Sequence, residues 1–385
     1  MHDFSGFYEL SVTERQTRMG QLLTQNLSLE TADSMVENLV GIFGLPLGVA
    51  CHFVVDDQAV WVPMAIEEPS VIAAASHMAK LASVRGGFRT QVDAPVMMGQ
   101  IQLTGALDWD RVVQAIEQHQ TELLKLANHY CSNLKVRGGG CVGLKIKNLS
   151  AEMAVLEVLI NCQDAMGANL INTVMEGLAP KIEELTGTVA GFKILSNLSD
   201  QRLARSSCEI PYALLAGDRT HDRGRWVAER MRQGYLFACL DPYRACTHNK
   251  GVMNGVDAVA IATGNDWRAV EAGAHAYASQ KTGRYQPLTH FELNDAQSCL
   301  LASIELPLAL GVVGGITQVH PSVKACLELL GEFAKSAQKL AGLIASVGLA
   351  QNLAAMRALA AEGIQQGHMA LHDRKQIEWP KHLEK

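Results

Sequence analysis

The segment between Pro95 and Asn197 constrains this chain most, because its hydrophobic periods leave few architectures open. Residues 96–103 read as a strand, and 109–130 carry an apolar stripe (Val112, Val113, Ile116, Leu123, Leu124, Ala127) with the period of a helix. Two further strands are expected at 141–147 and 152–161, joined by a short turn at 148–151. A second amphipathic helix at 170–185 is ended by Gly187, and a last strand covers 189–195. The order β-α-β-β-α-β, over about 100 residues, is that of a ferredoxin-like split unit.

The flanking stretches are mixed. A helix is expected at 30–41, then strands at 48–55 and 59–64 joined by Asp56-Asp57-Gln58, then a small-residue helix opened by Glu67-Glu68-Pro69-Ser70. After Ser199 the expectation is a helix at about 222–239, a loop across DPYRACTHNKGVMNG, and a short buried strand at 256–263. A helix from Trp267, strand-like segments at about 289–313 and mainly helices from Pro321 onward complete it.

Composition excludes several classes. Lys and Arg number 33 against 39 Asp and Glu, a net charge of −6, and no basic run exists that could neutralise a phosphate backbone; nucleic acid is not an expected partner. With 48% hydrophobic and 19% charged residues the chain is not disordered. Its first ten residues include acids, which do not suit a signal peptide, and the uncharged stretch 306–323 is broken by Pro307, Gly311, Gly314, Gly315 and Pro321, so no membrane span is expected. Nine cysteines without a CxxC pair suggest reduced, mostly buried thiols in a cytoplasmic protein.

Among the motifs, residues 138–143 satisfy GxGxxG, but a period-two strand follows where a dinucleotide fingerprint needs a helix, so these glycines are assigned to a turn. The better candidate is Asp164-Ala165-Met166-Gly167-Ala168-Asn169, between an apolar strand and a helix. Free amides and the helix dipole there favour a phosphate, Gly167 permits close approach, and Asp164 either caps the helix or bonds a ribose. Lys250 falls in the expected polar loop after Arg244, Asp266 ends the expected buried strand, and His368 lies near the end of a helical run. Taken singly, these read as a solvated lysine, a helix cap and a surface histidine, and Glu67 and Glu68 as a good helix start. No HExxH, GxSxG, P-loop or Cys/His cluster is present, so no metal site is expected.

Over nearly the whole chain the sequence resembles the class II 3-hydroxy-3-methylglutaryl-coenzyme A (HMG-CoA) reductases. The resemblance is carried by Glu37-Asn38-Leu39-Val40-Gly41, PMAIEEPS at 63–70, DAMGAN at 164–169, ILSNLSD at 194–200 and DPYRACTHNKGVMNG at 241–255. ATGNDWRAVEAGAHAYA at 262–278, VGLAQNLAAMRALAAEGI at 347–364 and GHMALH at 367–372 extend it. It implies an α+β chain in which a large mixed α/β substrate domain (1–93 and 199–366) is interrupted by a ferredoxin-like cofactor domain (94–198), with 367–385 beginning a short C-terminal helical flap. It implies Glu68, Lys250, Asp266 and His368 as catalytic, and Ser70, Asn197, Arg244 and Asn254 as holding the hydroxymethylglutaryl group. Asp164, Met166, Gly167, Ala168 and Asn169 would line the dinucleotide. The implied reaction is reduction of HMG-CoA to mevalonate and coenzyme A by two NAD(P)H, or its reverse. In it Lys250 would stabilise the oxyanion, Asp266 hold Lys250, Glu68 donate a proton and His368 protonate the departing thiolate. A homodimer or higher oligomer with active sites at the subunit interface is implied, the segment at 37–41 lying at that interface. A reductase of another acyl-CoA, and a weakly catalytic coenzyme A or dinucleotide binder, are the alternatives.

Two features depart from the family pattern. Cys131 falls where NAD-preferring members carry an acid, so NADP or dual use is expected, with His129, Lys135 or Arg137 near a 2′-phosphate. The chain also ends at Lys385, soon after His368.

Overall fold

The computed structural model describes residues 6–20, 23, 26–105, 108–280 and 282–361. A short helix, Leu29–Asp33, ends well before residue 41, and Asn38 takes a left-handed φ of 54°. Strands β1 (Leu47–Val55) and β2 (Gln58–Ala65) form a hairpin whose turn residues Asp56 and Asp57 both have positive φ, as a tight two-residue turn requires. Helix α1 (Val71–Ser83) and strand β3 (Phe88–Val92) follow. The chain then builds β4 (Val96–Thr104), helices α2 (Trp109–Gln118) and α3 (Gln120–Tyr130), β5 (Gly140–Ser150), β6 (Met153–Asn161), α4 (Ala168–Thr186) and β7 (Val189–Ser196). The helix expected across 109–130 is therefore two, because His119 leaves helical angles between them. Strand β5 runs on to Ser150, which shortens the expected turn at 148–151.

These four strands make one antiparallel sheet in the order β5-β6-β4-β7, the split arrangement expected of this segment. Met97, Ile101, Leu156 and Ile160 meet Ile171, Val174 and Leu178 of α4 in its core. The chain then enters β8 (Leu203–Pro211), which pairs directly with β3, and the Asp93 amide bonds to the Leu203 carbonyl at 2.9 Å. The small unit thus leaves and re-enters the large domain between two neighbouring strands, so its insertion leaves the large sheet continuous.

Helices α5 (His221–Leu240), α6 (Pro242–Ala262) and α7 (Trp267–Gln280), strands β9 (Thr289–Asn294) and β10 (Cys299–Pro307), and helices α8 (Pro321–Leu330) and α9 (Ala337–Ala361) complete the large domain. Its sheet has the order β2-β1-β3-β8-β10-β9. The expected loop at 241–255 and the expected strand at 256–263 are both wrong: the two segments form the single helix α6. Asp241 caps it by accepting from the Arg244 amide at 2.9 Å, and Pro242 occupies the first turn. The strand-like pattern to 313 also stops earlier, at Pro307.

Helix α9 is long and apolar enough to cross a membrane, yet 72% of its most apolar window is buried inside the fold. It is the core helix of the large domain. A Cβ on Gly255 of α6 would lie 2.9 Å from the Val347 carbonyl oxygen, and one on Gly348 of α9 would lie 2.8 Å from Val256 Cγ2. The two helices touch backbone to side chain, and glycine is what lets them. All nine cysteines are free, and seven are buried. Gly255→Ala is expected to destabilise the fold by about 1–3 kcal/mol through overpacking. Urea unfolding measures this, and an unchanged midpoint would contradict the close crossing.

Candidate active site

Glu68 and Ser70 lie between β2 and α1. Ser70 stands at the N-cap position of α1 with a left-handed φ of 74°, and its side chain makes no capping bond. Its Oγ is buried and has no hydrogen-bond partner among the described residues. A strained backbone holding an unpaired buried hydroxyl is costly, and such strain is kept where a ligand completes the group. The helix-start reading of this segment therefore accounts for its position but not for its chemistry.

Lys250 projects from the middle of α6, with its Nζ 2.8 Å from Glu68 Oε2. Both side chains are partly exposed, so the pair adds little stability; its value is geometric. The preceding turn is locked. His248 Nε2 lies 2.6 Å from Thr289 Oγ1, and Asn352 Nδ2 donates to the His248 carbonyl at 2.9 Å. Asn249 Nδ2 donates to the Gln286 carbonyl and its Oδ1 accepts from the Leu288 amide, each at 2.9 Å. Burial pushes the His248 pKa down to about 3, so its imidazole stays neutral. In the THNKG motif, then, the histidine and asparagine anchor the helix and the lysine is presented. Asn254, four residues on, shares the face of Lys250.

Arg244 opens the same helix. Its Nη2 lies 3.3 Å from Met356 Sδ, and among the described residues no carboxylate pairs with it. Burial lowers its pKa. A half-buried guanidinium without a counter-ion suits a carboxylate ligand. Asn197 is exposed beyond β7, with its carbonyl packed on α7 at Gly273.

Asp266 sits at the junction of α6 and α7, where its Oδ1 accepts from the Ala269 amide at 3.1 Å. It ends no strand, since α6 replaces the expected one. From Lys250 to Ala262 the helix rises about 18 Å, and Lys250 has Glu68 as its recorded partner. Lys250 and Asp266 of one chain are therefore not brought together. His368 and the expected flap lie outside the described residues.

In the small domain, α4 starts at Gly167, whose φ is 97° and whose added Cβ would lie 2.4 Å from Cys162 Sγ. Only glycine fits there. No side chain caps this 19-residue helix, so its first amides are available to a phosphate, and Met166, Ala168 and Asn169 around them are all accessible. These residues fit a dinucleotide. Asp164 caps a different helix: its Oδ1 accepts from the Ala337 amide at the start of α9, at 2.9 Å. The turn at 138–140 braces the loop, with Gln163 Nε2 donating to the Gly138 carbonyl at 3.1 Å. Beside that turn Lys135 and Arg137 are exposed, as is His129 on α3. Cys131, by contrast, is fully buried in the small-domain core and presents nothing to a ribose. Sequence reasoning missed Arg202 and Asn265, whose bonds to distant backbone had no local signal.

A helix end with free amides, together with a lysine–glutamate pair and a guanidinium that meets no carboxylate among the described residues, fits an NAD(P)-dependent oxidoreductase acting on an acidic carbonyl compound. The family model for hydroxymethylglutaryl-coenzyme A reductase matches residues 9–373. The 3-hydroxy-3-methylglutaryl-coenzyme A reductase of Archaeoglobus fulgidus is 43% identical over 383 residues, covering 96% of this chain and 85% of its own. A probable enzyme of the same name from Borreliella burgdorferi is 32% identical, over 89% and 77% of the two chains. A solved Streptococcus pneumoniae reductase superposes with a TM-score of 0.90 at 40% identity, over 96% and 90% of the chains. A class II structure from that organism, described as bound to NADPH in open conformations, gives 0.89 at 39% identity, over 94% and 100%. The chain belongs to the hydroxymethylglutaryl-coenzyme A reductase family, and its activity is that of an HMG-CoA reductase.

Ser70→Gly is expected to raise stability by about 1 kcal/mol, because it relieves the left-handed strain and deletes the unpaired hydroxyl. Substrate KM should rise. Thermal unfolding with steady-state kinetics checks both, and a destabilised variant would show that Ser70 is structural.

Proposed function

We propose that this chain reduces the thioester of HMG-CoA to mevalonate in a site shared by two copies of itself, and that it prefers NADPH. The observation that carries the shared site is the separation of Lys250 from Asp266 along α6. A reductase that uses both must take them from different chains. Closely spaced apolar side chains at Val40, Ile42, Phe43 and Leu45 are exposed, and a partner copy would cover them.

Two dinucleotides, held in succession at 164–169, would each supply one hydride per turnover. The chain's own groups do the rest. Lys250 holds its ammonium toward the oxygen that gains charge as the thioester carbonyl is reduced. Glu68, hydrogen-bonded to that ammonium, is placed to pass a proton to the same oxygen. Asp266 of the second copy joins the pair, its carboxylate neutralising the ammonium while Glu68 carries the proton it passes on. Arg244 takes the substrate carboxylate, while the Ser70 hydroxyl, Asn254 and Asn197 hold the remaining polar groups. His368 protonates the coenzyme A thiolate as it leaves. The same groups serve the oxidation of mevalonate in reverse. Nine free thiols support a reducing, cytoplasmic setting.

The NADPH preference rests on exposed Lys135 and Arg137 beside the turn that braces the dinucleotide loop, and on the NADPH-bound structural relative. It no longer rests on Cys131.

Lys250→Ala and Asp266→Ala homodimers should each be nearly inactive. Mixed and re-associated, they should recover up to about a quarter of the wild-type activity, since half of the hybrid sites regain both residues. A silent mixture that contains hybrid dimers would overturn the shared site. In a second experiment, Arg137→Ala should lower kcat/KM for NADPH by about tenfold, the worth of one charge-assisted bond, and leave NADH unchanged. Equal loss for both cofactors would refute the phosphate contact.

A further inference from the structure

Arg202, just before β8, is almost completely buried, and its guanidinium lies between two backbone carbonyls. Nη2 donates to Leu310 O at 2.5 Å and Nη1 to Ala165 O at 3.3 Å. Ala165 belongs to the dinucleotide loop of the small domain, and Leu310 to the segment that follows β10. No carboxylate is hydrogen-bonded to the guanidinium among the described residues, so the buried charge is held by backbone dipoles, with the Asp164 carboxylate acting on it through space. That is an expensive way to join two segments, and burial pulls its pKa down to about 10.

The segment 308–312 is held on both sides. The Leu308 amide donates to the Arg202 carbonyl at 3.2 Å, and the Val312 amide to the Asp164 carbonyl at 2.9 Å. Between them Gly311 lies flat against the loop, where an added Cβ would come 2.8 Å from the Met166 amide nitrogen. On the opposite side the Gly311 amide donates to Asn265 Oδ1 at 2.7 Å. Asn265 Nδ2 in turn donates to Thr263 Oγ1 at 3.0 Å, inside the turn that ends α6. Asp266 is the next residue.

We propose that Arg202 is a positioning residue that clasps the dinucleotide loop, and that the strap it grips ties the loop through Asn265 to the Asp266 junction as one unit. This rests on the reading that 164–169 hold the dinucleotide. The loop and Asp266 then reach the shared active site in fixed register, so hydride donor and catalytic carboxylate are placed together. Because one strap carries both, loosening either end moves the other.

The test uses the full-length dimeric enzyme and titrates NADPH by its fluorescence, without turnover. Arg202→Met should weaken NADPH binding by about tenfold or more, the effect of losing charge-assisted bonds. KM for HMG-CoA should change by less than about twofold. Arg202→Lys should recover only part, because an ammonium cannot fork to both carbonyls. Gly311→Ala, which keeps the charge and pushes on Met166, should weaken NADPH in the same direction and carries the test if Arg202→Met does not fold. In a double-mutant cycle, Arg202→Met and Asn265→Ala should be non-additive for NADPH affinity. Folded Arg202 and Gly311 variants that bind NADPH normally, with only a lowered Tm, would overturn the clasp, and additive effects would overturn the strap. Asn169→Ala separates the two levels. If it too leaves NADPH affinity unchanged, the loop is not the dinucleotide site; if it weakens NADPH while Arg202→Met does not, the clasp alone fails.

Discussion

The large domain depends on burying helix α9. An apolar helix of 25 residues is stable in water only when other elements cover it, and here α1, α5, α6 and the six-stranded sheet do so. The glycines at the α6–α9 crossing remove the side chains that would hold these helices apart. Each functional segment then takes its position from α9. The start of the helix is capped by Asp164 from the dinucleotide loop, its middle carries α6 and therefore Lys250, and Met356 near its end receives the Arg244 guanidinium. One burial event sets the 164–169 loop, Lys250 and Arg244.

Within that frame the polar groups divide by whether the fold completes them. His248 Nε2, Asn249 and Asn352 are bonded to partners within the chain and hold α6 still, although His248 Nδ1 has no partner among the described residues. Among the described residues the Ser70 hydroxyl has no hydrogen-bond partner and Arg244 no carboxylate, and the fold bears that cost. The Lys250–Glu68 pair belongs with the second group: too exposed to stabilise much, but fixed in distance.

Much of the small domain was legible, because its strands and helices carry their own periods. The β-α-β-β-α-β order, the phosphate-ready start of α4 and the turn at 138–140 all follow from local pattern. Helix α6 was not legible. Gly251, Gly255, Thr247 and two asparagines lower its propensity and suggest a loop, although Asp241 followed by Pro242 is a helix-start signal. Gly255 is there for packing against α9, which no local window contains. The misplacement of Lys250 in a loop and of Asp266 at the end of a strand followed directly.

The sequence by itself determined the residue types of the site, the small domain's strand order and the family. These depend on covalent neighbours, on hydrophobic period and on long ordered motifs, all present in the linear chain. Only the tertiary structure decided that Asp164 caps a helix beginning 173 residues later, that Cys131 is buried, that Ser70 is unpaired and that Arg202 joins two domains. Each of those is a contact with backbone or core from distant sequence. Backbone amides and carbonyls are the same in every residue, so a sequence holds no sign of which one a side chain will meet until the core has placed it.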